Sequence, residues 1–231
     1  MATKGPIKPI IAKHLRDRYI ADLSDLSAYK NQNCGFSWIL VCLDLFTKFG
    51  IAKPLKSKFA NDVASTSREI FTTFWPPILL HTDNRAEFKN GTLESICHKY
   101  DIKKILGRAR CPWIQGQVER FKQSIKRWLS SIGSTNYELG KWQICLNDVI
   151  FLNNNTVHST TKQIPAKLFF GTAYPKKVND DLVSSLSTFD PELSDEVETS
   201  HESAKVNTSI AAEIMAQKRR WKYDIEHYYR T

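Results

Sequence analysis

Between residues 36 and 46 the chain runs almost without a break through apolar side chains: Phe36, Trp38, Ile39, Leu40, Val41, Cys42, Leu43, Leu45 and Phe46. A strand with one wet face alternates apolar and polar residues. A run this continuous belongs to a strand buried on both faces. Its neighbours are consistent with that. Residues 18–26 read as a strand carrying Asp22 and Asp25, and 28–35 as a polar turn. Residues 48–55 read as a short strand closed by Lys56, Ser57 and Lys58. Together the three strands make an antiparallel meander.

The periodicity then changes. Val63, Ile70, Phe71 and Phe74 recur at helical spacing over 60–75, and Pro76-Pro77 ends that helix. Residues 78–82 are a short apolar strand, and Asp83 lies just past its C-terminal end, where open α/β sheets place functional groups. A helix over 87–100 with Gly91 inside it, a fifth strand over 102–106 and a loop over 108–116 follow. The clearest helix spans 117–132. Val118, Phe121, Ile125, Trp128, Leu129 and Ile132 form its apolar stripe. Glu119 stands off that stripe and shares a face with Lys122, Gln123 and Lys126. Such a face fits a metal-ligating carboxylate beside phosphate-reaching lysines, and equally an ordinary surface ion pair at i, i+3. Helical stretches over 138–153 and 164–171 come next.

Charge divides the chain. Residues 1–177 hold 27 Lys+Arg against 13 Asp+Glu, whereas 178–204 hold eight acids and no Lys or Arg. So basic a segment calls for a polyanionic partner, nucleic acid first. The acidic, Ser-rich stretch 176–204 reads as a solvated linker, and 210–229 as a closing helix that is basic around Lys218, Arg219 and Arg220. The domain reading is a lead-in over 1–17, a core over 18–133, a helical extension over 134–175, an acidic linker over 176–204 and a basic helix over 205–231. No stretch approaches the ~20 apolar residues of a membrane span. No secretory signal is visible, and five Cys without a CxxC pair argue for a reducing compartment and against a disulfide framework or zinc knuckle.

Three acids matter together only if the fold gathers them. Asp22, Asp83 and Glu119 in one pocket could not all remain charged and unpaired. A divalent cation is the usual relief, and hard oxygen ligands favour Mg²⁺ or Mn²⁺.

The order of elements, with acids on the first strand, after the fourth and on the next helix, is that of the ribonuclease H-like fold. The segments Asp22-Leu23-Ser24-Asp25-Leu26, Asp44-Leu45-Phe46-Thr47-Lys48-Phe49, His81-Thr82-Asp83-Asn84 and Gln115-Gly116-Gln117-Val118-Glu119-Arg120-Phe121 go further. They resemble the catalytic core of retroviral and gypsy-type long-terminal-repeat retrotransposon integrases. The 35 residues between Asp83 and Glu119 match that family's acid spacing. Val157-His158-Ser159, with Thr161, Pro165 and Gly171, is similar to the segment that follows the core in gypsy-type elements.

The resemblance implies an α/β fold: a five-stranded mixed sheet flanked by helices, with a helical C-terminal extension. It implies a nuclear polynucleotidyl transferase that trims DNA 3′ ends and joins them to target DNA. Two Mg²⁺ or Mn²⁺ ions would sit on Asp22, Asp83 and Glu119, with DNA on Gln115, Lys122 and Lys126. DNA and a second copy of the core, in a homodimer or higher oligomer, are the implied partners. No His-His-Cys-Cys zinc module precedes the core and no clear barrel or chromodomain follows it, which fits an isolated core domesticated from an element.

Three positions depart from the family pattern. Arg85 replaces a Gly, which predicts a strained positive-φ backbone there. Cys111-Pro112-Trp113-Ile114 replaces a polar loop, and Lys122 replaces an Asn. These departures motivate two alternatives: a degraded core that binds DNA or protein, or a metal-dependent nuclease without strand transfer.

Overall fold

The computed structural model describes residues 11–107, 112–133, 141–172 and 198–214, with 112–115 and 131–133 by backbone alone. Five strands form one mixed sheet in the order β3-β2-β1-β4-β5. They are β1 (Arg18–Asp25), β2 (Trp38–Asp44), β3 (Gly50–Leu55), β4 (Leu79–Thr82) and β5 (Lys103–Leu106). The first three pair antiparallel, while β4 runs parallel to both β1 and β5. The helices are α1 (Ala60–Phe74), α2 (Gly91–Lys99), α3 (Pro112–Gly133), α4 (Trp142–Asn154) and α5 (Pro165–Phe170), with a further helix, α6, over 198–214. This is the five-stranded α/β architecture expected from the sequence.

The apolar run on β2 is explained by its two faces. Leu40 and Cys42 join Tyr19, Ala21 and Leu23 of β1 in a core under α1 and α2. Ile39, Val41 and Leu43 join Ile20 in a second core, closed by Val118, Phe121 and Ile125 of α3 and by Trp142, Leu146 and Val149 of α4. Side chains alternate between faces along a strand, so Asp22, two residues past Ile20, lies on the α3 side.

Some expectations shift. Gly91 opens α2 instead of lying inside it: the Asn90 side chain caps the helix by accepting from Leu93 N at 2.8 Å. The expected loop before the acidic helix is partly helical, because Pro112 stands at the first position of α3. Most of the stretch 28–35, read as a turn, lies in a 3-10 helix over Ser27–Asn33. Arg85 is absent from the non-glycine residues with positive φ, so the strain expected there does not arise. The acidic segment is helical from 198, where Ala204 is fully buried against the α3–α4 core. His201 anchors it, with a ring nitrogen 2.7 Å from the Leu168 carbonyl oxygen and its ring edge-on to Phe46. The readings for 176–197, for 215–229 and for Cys111 lie outside the described residues. The four described cysteines are all free thiols.

Candidate active site

Parallel pairing of β1 with β4 ends at Ala21 opposite Thr82. The next residue in each segment is an acid, so Asp22, inside β1, and Asp83, just past the C-terminal end of β4, stand side by side on two adjacent parallel strands. α3 crosses this face of the sheet against β1 and β2 and carries Glu119 and Lys122 to the same place.

What joins the acids is an ammonium group. Lys122 Nζ lies 2.7 Å from Asp22 Oδ2 and 2.8 Å from Glu119 Oε2. The lysine side chain is only 15 % exposed and that of Asp22 18 %, against 52 % for Glu119, so the pair with Asp22 is the sheltered one. Asp22 Oδ1 also accepts from Leu23 N at 2.8 Å. Asp83 has its own cation: Arg85 Nε is 2.9 Å from Oδ2, and Arg85 N donates to Oδ1 at 3.2 Å.

The protonation equilibria follow these contacts. The hydrogen bond from Lys122 leads in holding Glu119 below the ordinary carboxylate range, opposed by partial burial. Burial alone would lower the Lys122 ammonium. The hydrogen bonds and charges of Asp22 and Glu119 outweigh it and raise the pKa. For Asp83 burial dominates and raises the pKa, and the neighbouring charge of Asp22 adds to it, while the exposed Arg85 offsets only part. One site therefore contains two environments: Asp22 and Glu119 sharing one ammonium, and Asp83 pressed toward the neutral acid.

This donor set does not fit a divalent ion as folded. The space that an ion would need between Asp22 and Glu119 is held by the Lys122 ammonium. Among the described residues, no three His, Cys, Asp or Glu side chains assemble into a group able to hold a metal ion.

Residues 22–112 match the family described as "Integrase core domain". The matched stretch opens on Asp22, includes Asp83 and closes before Glu119. The chain carries an integrase core. Relatives extend the likeness. KRAB-A domain-containing protein 2 of Homo sapiens is 25 % identical over 217 residues, covering 91 % of this chain and 43 % of its own length. The retrovirus-related Pol polyprotein from transposon 412 of Drosophila melanogaster is 29 % identical over 171 residues, covering 72 % of this chain and 13 % of its own. The chain thus spans less than half the length of either relative. The solved HTLV-2 integrase catalytic core domain, in complex with magnesium and in a trimeric form, shares the fold. Its TM-score is 0.56 at 17 % identity, covering 70 % of this chain and 99 % of that one.

Of the residues singled out from sequence, the integrase core brings Asp22, Asp83 and Glu119 to one end of the sheet. Lys122 is there too, as a partner of two of the acids. Its i, i+3 spacing from Glu119 was the visible signal, whereas the contact with Asp22 spans 100 residues of sequence. Lys126 is exposed one turn on. Gln115 lies on α3, and its side chain is outside the described residues. His81, read as structural, is buried, with a pKa lowered by burial and by Arg18. The buried Lys48 was missed. It donates to Gln117 Oε1 at 2.7 Å and to the Leu45 carbonyl. Nothing local in the sequence marks a lysine for the interior.

Proposed function

We propose that this chain is an integrase-type core that binds DNA in the nucleus without catalysing strand transfer, two of its three acids being bridged from within by Lys122. The observation that carries the reading is the pair of Lys122 contacts, 2.7 Å to Asp22 and 2.8 Å to Glu119. An ammonium pairs with two carboxylates electrostatically, but it has no empty coordination sites. It cannot coordinate a water and lower its pKa as a metal does. The excess of 27 Lys+Arg over 13 Asp+Glu in residues 1–177 supports a phosphate-backbone partner. No helix among the described residues is long and apolar enough to cross a membrane.

Retention of all three acids favours a competing reading, a metal-dependent polynucleotidyl transferase or nuclease. One assay separates them. Wild type, Lys122→Asn and Asp83→Asn are incubated with element-end and nicked DNA in Mn²⁺, and binding is followed by fluorescence anisotropy. The expected result is DNA binding by all three, with no Asp83-dependent nicking or joining by wild type. Joining by wild type that Asp83→Asn abolishes would overturn the proposal, and nicking without joining would make the chain a nuclease. Analytical ultracentrifugation with and without DNA tests whether the core pairs as a homodimer or higher oligomer.

A further inference from the structure

Around α3 from Glu119 and Lys122, and bordering on them at Gln123, lies a cavity of about 570 Å³. α3, the connection between α4 and α5, the β2–β3 turn and α6 enclose it, through Arg120 and Arg127, His158, Lys48 and Thr208 respectively. Its volume is that of a small-molecule site, which typically spans roughly 300–1,000 Å³. None of the described residues lining it is acidic.

Three observations indicate what it would hold. Arg120 and Arg127 are seven residues apart, two turns along one face of α3. Neither is in an ion pair with a carboxylate among the described residues. Lys48 is 4 % exposed, and its one acidic neighbour, Asp44, already accepts from Thr47 N and Oγ1 and from Arg16 N. Arg120 and Arg127 therefore line the cavity without a paired carboxylate among the described residues, and Asp44 is the acid that faces Lys48. Repulsion among the cations acts on the neighbours: burial first, then Lys48 and Arg120, disfavours the charged form of His158, and burial first, with a smaller push from Arg120 and against the pull of Asp44, disfavours that of Lys48. Independently, Thr208 is 5 % exposed, and its Oγ1 is buried without a hydrogen-bond partner. A buried hydroxyl with no partner is unfavourable unless something bonds to it. His158 Nδ1 accepts from Thr160 N at 3.2 Å, which leaves Nε2 to carry the ring proton as a donor. Trp128, 37 % exposed, supplies a flat aromatic wall.

From this arrangement we infer a binding site for a nucleotide, with its phosphates held by Arg120 and Arg127 and its base laid against Trp128. Guanidinium groups suit phosphate because their N–H donors match its oxygens in pairs. An indole face suits a nucleobase because every base has a π face. The site is distinct from the acid cluster and does not depend on whether that cluster is catalytic.

The test is isothermal titration calorimetry of the full chain with AMP, ADP, ATP, inorganic phosphate and pyrophosphate, with a DNA duplex titrated in parallel. Saturable binding of at least one nucleotide is expected, tighter than phosphate or pyrophosphate. Arg120→Gln with Arg127→Gln should weaken it by about tenfold or more, because charge-assisted bonds are the strong ones. Thr208→Val should weaken it less. Lys122→Asn and Lys126→Gln should leave it unchanged, since both lie on the acid face. The two arginines are exposed, so circular dichroism of the double variant should match wild type. No nucleotide binding, or binding indifferent to the arginine pair, would overturn the assignment. So would inorganic phosphate binding as tightly as any nucleotide. If the double variant kept nucleotide binding and lost DNA binding, the arginines would belong to the DNA surface and the inference would fall.

Discussion

Asp22 and Asp83 are adjacent in space and opposite in energetic sense. Asp22 is tied to Lys122 in a part-buried pair, so Asp22→Asn would leave the ammonium short of one partner. It should destabilise the protein by about 1–2 kcal/mol in urea unfolding. Asp83 is held above the ordinary carboxylate range by burial and then by Asp22, and its partner Arg85 is 62 % exposed and thus well screened. Asp83→Asn removes a charge the fold disfavours, and should be neutral or stabilising by up to about 1 kcal/mol. If both substitutions destabilised equally, the site would not be the lysine-bridged cluster described above. Linkage to pH gives a second check at the same scale. Glu119 is lowered from 4.5, so its contribution is present above that value and is lost as acid carries the pH through the folded-state pKa. Lys122 is raised from 10.5, so its contribution is present below that value and is lost as the pH rises through the higher folded-state pKa. Between these limits the difference in stability between wild type and Lys122→Met should be flat, and it should shrink on either side.

Among elements, the junction of β3 with α3 and α4 is the tightest. A Cβ placed on Gly50 would lie 2.2 Å from the Phe121 ring, so the ring packs directly on the strand backbone. At the same residue Asn154 takes the place of a missing strand: its Oδ1 accepts from Gly50 N and its Nδ2 donates to Gly50 O, both at 2.8 Å. β3 is an edge strand, and this amide closes part of that edge. Gly50→Ala should cost about 1–3 kcal/mol by overpacking, measured by denaturant midpoint. Because Phe121 precedes Lys122, it should also loosen the Lys122–Asp22 pair.

The same elements show what a sequence can and cannot reveal. The β2 run was legible because burial on two faces removes alternation. The approach of Asp22 and Asp83 was legible because the order of elements sets an acid on the first strand and another just after the fourth. α3 began earlier than expected because Pro112 was read as a loop breaker, although proline at the first helical position costs no hydrogen bond. α6 was read partly as linker because the composition of 198–204 is polar. Its docking depends on Ala204 and Ala212, small residues that mark a close-packed face only once a neighbour is present. The contact of Lys122 with Asp22 was not legible because the two lie 100 residues apart.

At the scale of the whole molecule, charge sets what binding would look like. Neutralising Z phosphates gives log K a slope against log salt of about −0.9Z on duplex DNA. A core with the excess of cations found over 1–177 should bind duplexes of different sequence with similar affinity and lose that affinity steeply with salt. The two lysines of the acid face separate the possibilities. Lys126 is exposed, so Lys126→Gln should reduce the slope by about one if it touches a phosphate. Lys122 is already neutralised by Asp22 and Glu119, so Lys122→Gln should leave the slope unchanged. Anisotropy titrations between about 50 and 200 mM salt would measure both. A slope that fell equally with either substitution would place Lys122 on DNA, and its release from Asp22 on binding would then have to be part of the chain's function.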